Sequence, residues 1–304
     1  MEKFQLHILG CGSAKPTTRH FPSAQALTLS GRLYLIDCGE GAQLQMQRAH
    51  LKYTAVDHIF ISHLHGDHCF GLIGFISTLA LHGRTQDLHV YSPDGLEQMM
   101  KEQLAFFVNG MTFEVVFHAV PTDRPTLVMD DGHLRVTTIP LRHRVPTCGY
   151  LFEEVPALPH IRRDMIDYLG IPHYAIRGIK EGNGWTTEDG RTFTQAQLTT
   201  PAAPPRSYAY VSDTAYHPAI AEQLSGVHLL YHEATFAEAD SSRATITCHS
   251  TARQAAQIAK AAQAQRLIIG HFSSRYDDEN ILLQEAREVF PQTELASELR
   301  VFEL

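Results

Sequence analysis

The stretch "HIFISHLHGDHCFGL" constrains this chain more than any other: within HLHGDH, residues 63–68, three histidines and an aspartate fill four of six positions. So many such groups so close together have no common structural use, whereas imidazole and carboxylate together are ligands for divalent metals. The preceding apolar run predicts a strand that ends at Ser62. His63 and His65 would leave that end with two-residue spacing and point the same way, while Asp67 and His68 turn away as a helix begins. That geometry offers two neighbouring pockets. A catalytic zinc takes about three protein ligands and keeps one open position, so each pocket needs ligands from elsewhere in the chain.

Those ligands are expected where other strands end, because loops at one rim of a sheet can converge on a point. Three positions directly follow apolar runs: His143 in IPLRHRVPTCGY, Asp213 in YVSDT and His271 in LIIGHFSS. With His63, His65, Asp67 and His68 they make seven ligands, five His and two Asp, enough for two ions if one carboxylate bridges. Carboxylate and imidazole without thiolate suit Zn²⁺ or Mn²⁺. Two such ions about 3.5–4 Å apart can stabilise both the attacking and the leaving oxygen of a phosphoester.

Composition narrows the class. The 304 residues are 44% hydrophobic and 19% charged, which describes an ordinary globular protein with a substantial core. No apolar run approaches the roughly 20 residues of a membrane span, and the start MEKFQLHILGCGSAKP reads as strand and turn without a basic leader, so the expected address is cytoplasmic. The five cysteines, Cys11, Cys38, Cys69, Cys148 and Cys248, are dispersed and form no CxxC pair, which argues for reduced, mostly buried thiols. Histidine, at 19 copies, is the outlier. The net charge of −8 weighs mildly against a nucleic-acid partner, although a local basic patch or bound cations can reverse the field where it matters.

Short apolar runs bounded by turn residues predict strands at FQLHILG, AQALTLS, RLYLID, HIFIS, LHVYS, FEVVFH and LRVTTIPL, and later at SYAYVSD, VHLLYHE and RLIIGHF. Helices are expected at about 41–50, 69–82, 95–108, 216–224, 250–264 and 279–289. The alternation predicts a layered α/β fold with sheets covered by helices. Residues 154–205 fit poorly, being rich in Pro, Gly and Thr with weak periodicity, and are expected to leave the core as an arm or lid, with a plain surface insertion as the alternative. Within it, Arg162, Arg163, Arg177 and Lys180 stand against Asp164 and Asp167.

The chain resembles the metallo-β-lactamase superfamily in HLHGDH and the downstream His, Asp and His. In ISHLHGDHCFGL, YVSDT, YHEATF, CHSTARQAAQIAKAA and LIIGHFSSRY together it is similar to the ribonuclease Z family of tRNA 3′-processing endonucleases. The resemblance spans essentially all of residues 1–304 and implies a single αββα sandwich, two mixed sheets flanked by helices, with an inserted arm at about 154–205. It implies two Zn²⁺ per subunit, one held by His63, His65 and His143, the other by Asp67, His68 and His271, with Asp213 as the bridge. Asp67 would also accept the proton of the attacking water. Glu233 and His249 would form the pair that protonates the leaving ribose 3′ oxygen, and Arg275 would contact phosphate. The arm would clamp precursor tRNA bound mainly to the other subunit of a homodimer.

Read from the residues alone, Glu233 and His249 could equally be a buried pair or part of a capping network, with Ser250 and Thr251 as caps. One departure concerns the Pro-x-Lys-x-Arg-Asn loop of many relatives: here KPTTRHFPSA places Thr18, His20 and Phe21 at the Lys, Arg and Asn positions, with Arg19 and Lys15 as nearby substitutes. Two rival functions remain. One is a dinuclear-metal phosphodiesterase acting on small esters or cyclic nucleotides, and the other is a metal-holding RNA-binding protein without catalysis.

Overall fold

The computed structural model describes residues 3–108 and 110–304, so the reading of Met1 and Glu2 lies outside the described residues. Two compact units divide it, residues 154–205 and the remainder.

The larger unit is built on two mixed seven-stranded sheets. The first runs in the order Val301–Glu303, Phe4–Gly10, Ala24–Leu29, Arg32–Cys38, Val56–Phe60, Leu88–Ser92, Val115–Ala119, and is parallel from Arg32–Cys38 onward. The second runs in the order Thr293–Leu295, Arg266–Gly270, Leu229–Glu233, Ser207–Val211, Cys148–Glu154, Leu134–Pro140, Leu127–Asp130, and its first four strands are parallel. Parallel strands covered on both faces need apolar residues at nearly every position, which is why LLYHE and RLIIG read as continuous runs.

The sheets meet face to face. Phe60 of the first packs its ring 5.3 Å from both Tyr150 and Phe152 of the second, and the Tyr150 hydroxyl donates to the Ile61 carbonyl at 2.8 Å. On the outer face of the first sheet, helices Leu72–Leu81 and Leu96–Phe107 bury Phe75, Ile76, Leu79 and Met100 against Leu35, Ile59 and Val90. Over the second sheet lie Ala252–Ala261 and Asn280–Arg287, whose Ala255, Ile258 and Leu282 join the main core. Each buried Leu or Ile side chain there contributes roughly 1.5–3 kcal/mol of transfer free energy. The architecture is the expected αββα sandwich, with parallel strands of both sheets ending at one rim.

Differences from the sequence reading have local causes. The strand before HLHGDH ends at Phe60, two residues early. The helix expected over 69–82 breaks into Gly66–Cys69 and Leu72–Leu81 at Gly71, where a Cβ would lie 2.3 Å from the Gly39 carbonyl oxygen. Strand Cys148–Glu154 was not anticipated, because Gly149 interrupts its apolar pattern; that glycine lets the Tyr210 carbonyl approach to 2.3 Å from where a Cβ would be. The helix expected at 216–224 shrinks to Ile220–Gln223, following Pro218.

The smaller unit, residues 154–205, is more ordered than its composition predicts. Helices Arg163–Leu169 and His173–Lys180 bury Ile166, Ile171 and Ile179 with Leu198, and two two-stranded ribbons flank them. Its elements are short, which is why no long period marks them. Among the described residues, no helix is long and apolar enough to cross a membrane.

Candidate metal centre

The site lies where the parallel strands end. Val56–Phe60 leads into His63 and His65; Ser207–Val211 leads into Asp213; Arg266–Gly270 leads into His271. Leu134–Pro140 leads into His143. The turns that follow are tight, and His271 adopts a left-handed backbone with φ 61°. Such a conformation in a non-glycine residue marks a position the surroundings must enforce.

Two groups of ligand atoms converge. His65 Nδ1 lies 3.0 Å from His63 Nε2 and 3.2 Å from His143 Nε2, with Asp213 Oδ2 at 3.7 Å from His63 Nε2 and 3.8 Å from His143 Nε2. In the second group, Asp67 Oδ2 is 3.6 Å from both His68 Nε2 and His271 Nε2, and Asp213 Oδ1 is 3.4 Å and 3.2 Å from the same two nitrogens. Asp213 therefore presents one oxygen to each group. All seven residues named from the sequence are brought together.

These residues fit a pair of cations. His68 Nε2, His271 Nε2 and Asp213 Oδ1 are buried and have no hydrogen-bond partner within the protein. Three unpartnered polar atoms aimed at one point would be costly unless an ion satisfies them. On four of the five histidines the other ring nitrogen is already engaged. His68 Nδ1 donates to Asp37 Oδ2 at 2.7 Å, His143 Nδ1 to the Cys248 carbonyl at 2.9 Å, His271 Nδ1 to Thr235 Oγ1 at 2.8 Å, and His63 Nδ1 is 3.0 Å from Ser62 Oγ. Each such bond fixes the ring and directs the remaining nitrogen inward, as outer-shell partners of metal-binding histidines do.

The electrostatics agree. Burial alone would lower the His68 pKa, yet the Asp213 and Asp37 carboxylates hold it well above the ordinary value. His63 is pushed well below its ordinary value by burial and by His68. Burial raises the Asp213 and Asp67 carboxyls, but the histidines around them outweigh it and hold both well below the usual range. Two ionised carboxylates thus face the point where the histidine nitrogens converge, and they favour positive charge there.

Several contributing residues were not anticipated. Asp37, fully buried with φ 52°, accepts from the Ser62 backbone N–H at 2.7 Å, the Ser62 hydroxyl at 2.9 Å and the Tyr210 hydroxyl at 2.6 Å as well as from His68. It follows the apolar run RLYLI just as Asp213 follows YAYV, so the strand-end rule applied to Asp213 would also have found it. Asp67 Oδ2 accepts a 2.6 Å bond from the backbone N–H of Ala14, whose φ is 64°. Thr235 could not have been found by spacing.

Glu233 and His249 meet on the wall of the same cleft. Glu233 is fully buried and accepts from the backbone N–H groups of Thr214 and Ser250 on Oε1 and from Thr235 on Oε2, while His249 Nδ1 lies 2.9 Å from its Oε1. Burial pulls the His249 pKa down, but the Glu233 carboxylate more than offsets this and pushes it up to about 9. Thr251 is the N-cap of Ala252–Ala261, in a capping box with Gln254. Ser250 is not a cap; its hydroxyl donates to the Thr214 carbonyl at 2.8 Å.

Arg275 is placed differently from the rest. Its guanidinium is paired with Asp240 at 3.0 Å, lies over the Phe236 ring at 5.1 Å, and does not line the cleft. In the N-terminal loop, Arg19 donates to the carbonyls of Tyr276 and Asp277, and His20 sits between Glu279 and Glu298 at 3.1 Å from each. Both side chains therefore brace the loop against the segment that follows Arg275. Cys11 lies 3.4 Å from His20, but both ring nitrogens of His20 face carboxylates, so this trio is satisfied as a hydrogen-bonded ion pair.

Comparison with known proteins places this geometry. A family profile described as "Anti-Pycsar protein Apyc1" matches residues 4–154. The chain is 56% identical to ribonuclease Z of Bacteroides thetaiotaomicron over 298 residues, covering 98% of this chain and 94% of the relative. It is 51% identical to ribonuclease Z of Porphyromonas gingivalis, covering 98% of each. Among solved structures it is similar to the short form of human tRNase Z, with a TM-score of 0.73, 26% identity and 98% of each chain covered. The Bacillus subtilis metallo-β-lactamase fold protein YhfI shares the fold, with a TM-score of 0.70 at 18% identity over all of both chains. The likeness to named ribonucleases Z runs over 298 of the 304 residues at 51–56% identity, and the protein belongs to the ribonuclease Z family.

Proposed function

We infer that the protein is a metal-dependent endoribonuclease that removes 3′ trailers from precursor tRNA, leaving a 3′ hydroxyl on the tRNA and a 5′ phosphate on the trailer. The observation that carries this reading is the shared carboxylate: Asp213 offers one oxygen to each of two converging ligand groups beside the Glu233–His249 pair. His63, His65 and His143 would hold one ion, Asp67, His68 and His271 the other, and the oxygen- and nitrogen-donor set suits Zn²⁺, with Mn²⁺ as the second choice. Two divalent ions bound there supply Lewis acidity at the phosphate and a water that loses its proton readily.

The chain's own groups then divide the proton transfers. Asp67, kept ionised by its histidine neighbours and oriented by the Ala14 N–H, accepts the proton of the attacking water. As the P–O3′ bond breaks, the departing 3′ oxygen needs a proton. His249, protonated because Glu233 stabilises its charge, donates it. Net charge −8 is compatible with a polyanionic substrate because cations concentrate at the metal pair.

Residues 154–205 are the proposed tRNA clamp, serving the site of the other subunit in a homodimer in the cytoplasm. Two of their cations are already committed, Arg162 to Asp164 and Arg177 to Glu181 at 2.8 Å each, which leaves Arg163 and Lys180 as the better phosphate ligands. The test is to incubate 3′-extended precursor tRNAs, with and without encoded CCA, with metal-loaded protein and map both ends. A single cut leaving 3′ hydroxyl and 5′ phosphate is expected. Turnover of bis-p-nitrophenyl phosphate with intact precursor tRNA would favour the small-ester phosphodiesterase instead.

A further inference from the structure

We propose that Arg144, and not Arg275, is the arginine of this chain that grips a substrate phosphate beside the scissile bond; the proposal rests on the endonuclease reading above. Arg144 directly follows the ligand His143 and lines the cleft, where it is the only Lys or Arg among the described lining residues. Its side chain is exposed, and among the described residues no carboxylate lies within ion-pair distance of it. One N–H, at Nη2, donates to the Ile246 carbonyl at 3.0 Å. A guanidinium has five N–H donors in a planar fork, so most of the fork remains for a phosphate.

The placement is built, not incidental. Helix Ser241–Thr247 ends in Cys248, which adopts φ 58° and turns its carbonyl to His143 Nδ1 at 2.9 Å, while the Ile246 carbonyl takes Arg144. Consecutive residues are thus moored to one helix end, which fixes the distance between a ligand of the first ion and a free cation. Arg275 offers the contrast. Its charge is neutralised by Asp240, its Nε donates to Ser273 Oγ at 3.2 Å, and Asp240 is held in turn by the Tyr276 hydroxyl at 2.5 Å. Freeing that guanidinium for a phosphate would break a formed ion pair.

The competing explanation is that Arg144 merely complements the negative end of a helix, which favours cations. The two differ in what salt does. Each phosphate contact released as salt rises contributes about 0.7–0.9 to the slope of log affinity against log salt. Steady-state cleavage of one 3′-extended precursor tRNA by the metal-loaded full-length protein is measured across a potassium chloride series for wild type, Arg144→Ala, Arg144→Lys and Arg275→Ala. Arg144→Ala is expected to raise KM about 10–100-fold, as loss of a charged hydrogen bond does, with a smaller change in kcat, and to flatten the salt slope of kcat/KM by about 0.7–0.9. Arg144→Lys should restore the slope but only part of the affinity, and Arg275→Ala should keep the wild-type slope. A wild-type slope in Arg144→Ala, with or without a lowered melting temperature, would overturn the proposal, as would flattening confined to Arg275→Ala. Wild-type protein that fails to cut the tRNA at all would instead remove the endonuclease reading beneath it.

Discussion

Two sets of histidines lie at opposite ends of one strand of the first sheet, the second set completed by His143 and His271 from the second sheet. Val56–Phe60 contains His58 near its start and runs into His63 and His65 past its end. At the start, His58, His89 and His118 form a ladder across neighbouring strands: His58 stacks on His89 at 5.2 Å and 17°, and His89 Nδ1 lies 3.0 Å from His118 Nε2. At the far end, five histidines have neighbouring ring planes 37–82° apart and aim nitrogens at common points. The ladder brings only two ring nitrogens together, His89 Nδ1 and His118 Nε2, and among the described residues no third ligand atom converges on them. Carboxylates make the second difference. Among the described residues no member of the ladder forms an ion pair, whereas Asp37, Asp67 and Asp213 interleave with the converging set. A crowd of histidines is therefore not in itself a metal site; convergence, acceptors behind four of the five rings and a carboxylate between rings make it one.

Substitutions at the two ends should separate these properties. The largest effect is expected from His249→Ala, which removes the proton donor but no ligand: kcat should fall about 10²–10⁴-fold while elemental analysis still finds both ions. Loss of an ion in that variant would return the Glu233–His249 pair to a structural role. Asp37→Asn tests the acceptor behind the ring. Affinity for the ion held with His68 is expected to drop about 10–100-fold in a competition titration with a chelator, without loss of the fold by circular dichroism. Unchanged affinity would mean that convergence alone suffices.

The smallest effect belongs to the ladder. Burial lowers the His58 pKa, helped by His89 and by Arg32 and opposed by Asp131 and Asp57, with Tyr34 and Tyr91 as uncharged neighbours. The unfolded chain then takes up this proton first as pH falls. The stability due to neutral His58 is complete above its ordinary value of about 6.5 and is lost as pH drops toward the lower folded value. Melting temperature should therefore decline less steeply between about pH 7 and 5 in His58→Phe than in wild type, with ion content unchanged. An altered ion count would show that the two histidine sets are coupled.

The same comparison explains what the sequence made legible. Ligands that leave strand ends carry two signals, an apolar run and a metal-binding residue just after it, and His143, Asp213 and His271 show both. The strand pattern gives a layered α/β fold, and the resemblance makes it a sandwich; the pattern misses the short outer strands Leu127–Asp130, Thr293–Leu295 and Val301–Glu303 and the inner strand Cys148–Glu154, which Gly149 interrupts. What supports the ligands is less visible, because much of it is backbone: the Ala14 N–H on Asp67 and the Cys248 carbonyl on His143 depend on left-handed turns at residues with no glycine to announce them. Arg275 and Arg144 show the opposite limit. Both read as cations beside a motif, and only the positions of Asp240 and the Ile246 carbonyl distinguish a neutralised guanidinium from a free one.

The central claim is that Asp213 joins two ion sites into one reaction centre. Metal-stripped protein titrated with Zn²⁺, while bound ion and cleavage of a 3′-extended precursor tRNA are followed together, tests it most directly. Activity that emerges only as the second equivalent binds, and an Asp213→Ala protein that neither retains two ions nor cuts, is the predicted result. Full activity at one equivalent, or two tightly held ions in Asp213→Ala, would contradict it.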